Sequence, residues 1–221
     1  MQKIEVIYED EEIIVCRKPA GLPVQTASMT QQDMVSLLRN YFAAKRESAE
    51  VFVVHRLDQP VEGVMVFART KQAAAALSRQ IQQKGVDKYY LAVVEGVPKP
   101  DRGTVTDYLL RDGKTNTSKV VPKGTAEARL AVLHYQVQET YGNSSLVSIQ
   151  LETGRHHQIR VQMAHMGHPL TGDKKYNPDC GSGYLPIALC SVKLSFLHPS
   201  TGKKMEFEVM PEGKAFKERQ L

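Results

Sequence analysis

Cysteine is scarce in this chain of 221 residues: Cys16, Cys180 and Cys190 are scattered, and no two form a C-x-x-C pair. An odd, sparse set without zinc spacing excludes a disulfide scaffold and fits reduced thiols in a cytosolic protein. No stretch approaches the ~20 apolar residues a membrane span requires. Met1-Gln2-Lys3-Ile4-Glu5 offers no apolar core for a signal peptide, so a cytoplasmic protein is expected. There is no internal repeat and no low-complexity tract. No G-x-G-x-x-G follows the first strand and no P-loop is present, which argues against a Rossmann-type dinucleotide fold and nucleotide-phosphate chemistry.

What is there is an ordinary globular composition, 42% apolar and 24% charged, which excludes disorder and collagen-like repeats. At roughly 150 residues per domain the length allows one large domain or two small ones. Charge is uneven. The chain carries +5 overall, but residues 1–12 hold one lysine against five acids (−4), leaving +9 on the rest. A basic body favours a polyanionic partner, though weakly.

Strands outnumber helices. Ile4–Tyr8 and Ile13–Arg17 read as a strand pair, followed by the turn-rich Lys18-Pro19-Ala20-Gly21-Leu22-Pro23. Gln31 to Lys45 has helical periodicity through Met34, Leu37, Leu38 and Tyr41. Val51–Val54 and Gly63–Ala68 are short apolar runs expected as buried strands. Thr70 can cap a helix over Lys71–Lys84 that Gly85 ends. Lys88–Val94 reads as a strand, and 98–124, rich in Gly, Pro, Asp, Lys and Thr, as a mobile basic excursion. Ala126–Glu139 and Leu146–Leu151 alternate as antiparallel strands around Gly142-Asn143. A third helix is expected over His156–Met166, stopping at Gly167, and strands over Ala188–Leu197 and Lys204–Val209 close the chain. The class is α+β.

Three segments can carry chemistry. His55-Arg56-Leu57-Asp58-Gln59-Pro60 sets acid, base and imidazole in a loop between apolar strands, where reactive groups tend to sit; an ordinary charged turn before Pro60 is the plainer reading. In Gly154-Arg155-His156-His157-Gln158-Ile159-Arg160, helical spacing puts Ile159, Met163 and Met166 on one stripe and Arg155, Gln158 and Gln162 on the next. Arg155 would then stand at a helix N-terminus, suited to a carboxylate or phosphate, or the polar stripe would be a solvated face. In Lys88-Tyr89-Tyr90, alternation separates the two tyrosines, one for packing and one for a cleft.

Taken together these segments resemble the RluA-type RNA pseudouridine synthases. His55-Arg56-Leu57-Asp58 followed by Gly63–Thr70 is similar to their catalytic motif, and Lys88-x-Tyr90 with Ala92, Val94 and Gly96 to their tyrosine motif. Gly154–Arg160 with Gly167-His168-Pro169-Leu170, Gly172-Asp173 and Tyr176 is similar to their arginine motif, and Lys18–Leu22 fits their opening segment. The matches fall in family order over residues 4–211. Two departures are Val61-Glu62 where the family usually has Thr-Ser, and His156 where threonine is usual; both are expected to face the RNA.

The resemblance implies a pseudouridine synthase fold: a mixed, mainly antiparallel central sheet flanked by helices and loops. It implies a single catalytic domain over 1–221, without the small S4 domain of many relatives. The implied reaction breaks the uridine N1–C1′ bond, turns the uracil and joins C5 to C1′. No electron, hydride or phosphate moves, so no cofactor and no metal are expected. The resemblance assigns Asp58 as the reacting carboxylate, Arg155 as its partner, and Tyr90 as the ring against the uracil. A neighbouring guanidinium favours the ionised form of a carboxylate, and an aromatic face holds a flipped base. On the RNA side it places Arg56, with His55, His157 and Arg160, while Lys114, Lys119, Lys123, Lys174 and Lys175 are candidates for phosphate contacts. The partner would be a stem-loop of tRNA or rRNA, the enzyme a monomer with no membrane association.

Two other classes compete. Four histidines, His156, His157, His165 and His168, lie within thirteen residues, but no H-x-x-x-H pair exists and Gly167 separates the last two, which disfavours a metal hydrolase. A non-catalytic RNA-binding module would not need the aspartate, tyrosine and arginine together.

Overall fold

The computed structural model describes residues 4–28, 30–48, 50–180 and 186–217; Met1-Gln2-Lys3 of the N-terminal segment lie outside them. In chain order the elements are β1 (Glu5–Glu9), β2 (Ile13–Lys18), α1 (Met34–Ala44), β3 (Phe52–Val53), β4 (Glu62–Ala68), α2 (Lys71–Gln82), β5 (Asp87–Glu95), β6 (Arg102–Asp112), β7 (Thr117–Val121), β8 (Arg129–Tyr141), β9 (Ser144–Leu151), α3 (Gln158–His165), β10 (Leu189–Leu197), β11 (Lys204–Glu208) and α4 (Lys214–Lys217). The class is α+β with a mixed, mostly antiparallel sheet, as the strand-rich pattern implies. No helix among the described residues is long and apolar enough to cross a membrane. The chain divides into two compact units, one of Met1–Asp87 with Ser191–Pro211 and one of Lys88–Cys190 with Glu212–Leu221.

In the first unit the strand order is β1-β2-β4-β10, with β11 on β10 and β3 on β4. β2 and β4 pair antiparallel from Ile13↔Ala68 to Lys18↔Gly63. Every residue of β4 is buried and so is almost all of β2; that is why both read as uninterrupted apolar runs rather than alternating ones. Gly63 is fixed by this packing. Its φ is +130°, and a Cβ there would lie 2.3–2.8 Å from the Ser191 backbone, so only glycine fits.

The first two helices start where their caps allow. α1 begins at Met34 rather than Gln31 because Asp33 and Ser36 form a reciprocal cap, Asp33 Oδ1 accepting from the Ser36 N–H at 2.7 Å. Thr70 caps α2 as expected, accepting from the Ala73 N–H at 3.1 Å. The helix ends at Gln82, two residues early, since Lys84 itself takes the left-handed conformation (φ 59°) ahead of Gly85.

In the second unit the order is β5-β9-β8-β6-β7, with Tyr90↔Ile149, Leu133↔Leu151, Asp107↔Ala131 and Leu110↔Lys119 opposed in antiparallel registers. Residues 98–124 are corrected here from a mobile excursion to the β6–β7 hairpin. Thr104-Val105-Thr106 and Thr117–Val121 are β-formers whose outer faces meet solvent, so their polar composition imitates a loop. α4, four residues that bury Ala215 and Phe216, is too short to show a period and was not anticipated.

Candidate active site

Asp58 sits in the first unit on the loop joining β3 to β4, and that loop is tied down from below by Lys18. The Lys18 side chain is fully buried. Its ammonium donates to the carbonyls of Pro19 at 2.9 Å, Gln59 at 2.9 Å and Val61 at 2.6 Å. All three N–H bonds are thereby used, and two of the acceptors, Gln59 and Val61, follow closely after Asp58 in the loop. Burial pulls the Lys18 pKa down to about 7, with Asp58 and Glu62 acting in the opposite direction. Two backbone bonds complete the tie: the Val61 N–H donates to Asp58 O at 3.0 Å, and the Gly21 N–H donates to Gln59 O at 2.9 Å.

The histidine of the same loop is structural as well as accessible. His55 Nε2 accepts from the Val66 N–H of β4 at 3.1 Å, so the ring is neutral with its proton on Nδ1. Leu57 is buried, Arg56 exposed and Asp58 half-buried. Gln25, Val53, Val54, His55 and Arg56 line an open cleft of about 270 Å³. Glu62, expected to face the RNA, is instead 6% exposed and lies near enough to raise the Lys18 pKa.

In the second unit Tyr90 stands on β5, 7% exposed. Arg155 does not open a helix. α3 starts at Gln158, after His157 in the left-handed conformation (φ 54°), and the Arg155 segment is an ordered loop. Gln158 organises it: Oε1 accepts from the Arg155 N–H at 3.0 Å and from Thr153 Oγ1 at 2.8 Å, while Nε2 donates to Val132 O at 3.1 Å. Arg155 Nε donates to Leu130 O at 2.8 Å. The solvated-face reading of this helix is also overturned, because Gln158 to Met163 are all buried. Burial and Arg129 disfavour the Arg155 charge, and burial and Arg155 lower the Lys88 pKa. Arg155, Arg129 and Lys88 therefore form a cationic cluster suited to an anion.

His157 and Arg160, expected on the RNA side, are 7% and 4% exposed. Arg160 grips the fully buried Asp173 carboxylate with two bonds of 2.8 and 2.7 Å. His157 Nδ1 meets the Tyr176 hydroxyl at 2.7 Å, and burial with the surrounding cations pushes its pKa down to about 2. Lys114, Lys119, Lys123, Lys174 and Lys175 are exposed, the first three on or beside the β6–β7 hairpin. Among the described residues no group of three His, Cys, Asp or Glu is arranged to hold a metal. Sequence reasoning missed the roles of Lys18 and Gln158. The only trace of Lys18 is a lysine closing an apolar strand just before a Pro-Ala-Gly turn.

Comparison with known proteins defines the class. The family described as RNA pseudouridylate synthase matches residues 12–165. An uncharacterized RNA pseudouridine synthase of Bacillus subtilis, YlyB, is 36% identical over 220 residues, covering 96% of this chain and 71% of the relative. The ribosomal large subunit pseudouridine synthase D of Zymomonas mobilis is 33% identical over 223 residues, covering 95% and 70%. Among solved structures, human RNA pseudouridylate synthase domain containing 4 superposes with a TM-score of 0.77 at 26% identity, over 96% of this chain and 90% of that one. This chain belongs to the RluA-type family of RNA pseudouridine synthases. Its activity is that of an isomerase, converting uridine in RNA to pseudouridine.

Proposed function

We propose that Asp58 is the reacting carboxylate, that Arg155 serves the same reaction as an anion-binding cation, and that Tyr90 lies against the uracil. The observation that carries this reading is the fixed loop under Asp58. A carboxylate that must meet C1′ or C6 of a flipped uridine needs a backbone that does not move, and preorganisation of this kind is where binding geometry becomes rate. Lys18, with its three carbonyls, and His55, anchored on β4, supply that rigidity. The cationic cluster of Arg155, Arg129 and Lys88 supports an anionic partner for Arg155.

The substrate is a uridine in a stem-loop, of ribosomal RNA in preference to tRNA, since several relatives carry ribosomal large subunit titles. The family match runs from residue 12 to 165 and so draws on both units, which act as one catalytic domain, in a cytoplasmic monomer. Arg56 and the exposed lysines at 114, 119, 123, 174 and 175 contact the RNA; His55, His157 and Arg160 serve it by holding the segments that do.

The test is tritium release from [5-³H]uridine-labelled ribosomal RNA and, separately, tRNA. Wild-type enzyme should release tritium from ribosomal RNA and Asp58→Asn should release none while binding the RNA within about threefold, because one carboxylate adds little to phosphate contacts. Release by Asp58→Asn at the wild-type rate would remove the carboxylate from the chemistry. Release from tRNA alone would overturn the substrate.

A further inference from the structure

Next to the Arg155 loop, the second unit gathers three basic side chains around one amide. Asn116, in the β6–β7 turn with φ 50°, takes Lys175 Nζ on its backbone carbonyl at 2.7 Å. Its Oδ1 faces Arg111 Nη2 at 3.5 Å and His156 Nε2 at 3.2 Å. Arg111, Asn116 and Lys175 are exposed and His156 is half-buried. A cluster of this kind repels itself unless an anion joins it.

The other side of His156 can accommodate a change of charge. Ser118 Oγ lies 2.9 Å from His156 Nδ1 and also 2.9 Å from the His156 carbonyl. A hydroxyl has one proton to give. With the ring neutral and Nε2–H donating to Asn116, Ser118 donates to Nδ1. With the ring protonated, Nδ1–H donates to Ser118 Oγ and the hydroxyl turns to the carbonyl. Both states leave each ring nitrogen hydrogen-bonded, so a proton can be added without breaking a contact.

The cations around the ring oppose that proton in the free protein. Arg111 on β6, Lys175 and, further in, Arg160 on α3 are cations. The ring stacks at 3.8 Å on His157, itself held by Tyr176. The carboxylates of these elements have other partners: Asp173 bonds Arg160, Asp107 Oδ2 accepts from Gln162 Nε2 at 2.9 Å, and Asp112 Oδ1 accepts from the N–H groups of Lys114 and Thr115. A bound phosphodiester reverses the balance.

We infer that Arg111, His156 and Lys175, organised by Asn116, form a binding site for a backbone phosphate of the substrate RNA, and that His156 takes up a proton as the phosphate binds. The inference rests on the assignment of RNA as substrate, but not on the role of Asp58.

The experiment is binding of a synthetic stem-loop RNA with a uridine-rich loop, measured from pH 6 to pH 8 and at several salt concentrations. Because each pH unit over which one proton is linked is worth up to about tenfold, wild-type affinity should tighten about three- to tenfold on going from pH 8 to pH 6. His156→Gln, which keeps a hydrogen-bonding group without a titrating one, should change less than twofold. At pH 6 the salt slope of the wild type should exceed that of the variant by about one phosphate contact. Calorimetry of the wild type in two buffers of different ionisation enthalpy gives proton uptake with no variant at all. A pH-independent wild type, no net proton uptake, or a His156→Gln variant with the wild-type pH dependence would each overturn the inference. Saturation of the same effect by inorganic phosphate alone would replace an RNA site by a free-anion site. Failure of the Asp58 assignment shows separately, in tritium release.

Discussion

Replacing Lys18 by methionine tests the tie beneath the Asp58 loop. The substitution keeps the length of the stem but leaves the carbonyls of Pro19, Gln59 and Val61 without their shared donor, in a site with no exposure to solvent. A buried acceptor stripped of its partner costs about 1–3 kcal/mol; relief from holding a buried charge offsets part of the sum, so a net loss of about 2 kcal/mol at pH 7 is expected. The pH dependence discriminates better than the size. The folded-state Lys18 pKa falls from the ordinary 10.5 to about 7, so between those values the unfolded chain holds a proton that the folded chain has released. Wild-type stability then rises with pH from about 7 and levels off near 10.5. From pH 7 to pH 9 that gain is about 2 kcal/mol. The variant lacks the group, so its deficit should widen to about 4 kcal/mol at pH 9. At about 2–4 °C per kcal/mol for a chain of this size, the gap in Tm should grow by about 4–8 °C. Urea and thermal denaturation of both proteins at pH 7 and pH 9 measure it. A gap that stays constant or narrows as pH rises would refute the account of Lys18 as a desolvated base of the loop.

Gly63→Ala should destabilise by about 3 kcal/mol or more, through both the positive φ and the approach to the Ser191 backbone; an alanine variant within 1 kcal/mol of wild type in urea would show that the contact yields. Arg160→Met should cost about 3–5 kcal/mol by leaving the Asp173 carboxylate buried and unpaired, read as a drop in the denaturation midpoint, and a loss under 1 kcal/mol would contradict it. Tyr176→Phe should cost about 1–2 kcal/mol, because its hydroxyl accepts from the Ser118 N–H and also bonds His157 Nδ1. Its effect on RNA affinity, measured alongside, should exceed that of a remote surface tyrosine such as Tyr141, since Ser118 also positions His156.

The legible part of the fold is the part whose signal is local. Thr70 before an alanine run, Gly142-Asn143 between alternating strands, and the apolar runs of β2 and β4 each determine their structure within a few residues. β6 and β7 escaped because strand pairing is a property of two segments. Lys114 and Lys119 belong as readily to a loop as to an exposed hairpin, and only the register with β8, Asp107↔Ala131 and its neighbours, decides. The start of α3 escaped for a related reason. Helical periodicity extends through His156 and His157, but the Tyr176 and Ser118 contacts hold those residues outside the helix, and no propensity records a partner so far away in sequence.

The site divides along the same line. Asp58, Tyr90 and Arg155, the residues proposed for the chemistry, stand out because their identities sit in short contiguous motifs. The groups that hold them in place are spread along the chain: Lys18 reaches carbonyls at 59 and 61, and Gln158 joins 153, 155 and 132. A buried lysine in sequence looks like any surface lysine, and only its three carbonyl partners distinguish it. The same holds for His157 and Arg160. Their motif marks them as important without saying which way they face, and burial makes them supports of the segments around them rather than exposed groups. Motif residues in this chain thus fall into two physical kinds, those proposed to meet the substrate and those that fix a backbone carrying another. The second kind should reveal itself by stability that falls together with activity, whereas Asp58→Asn should leave stability nearly untouched.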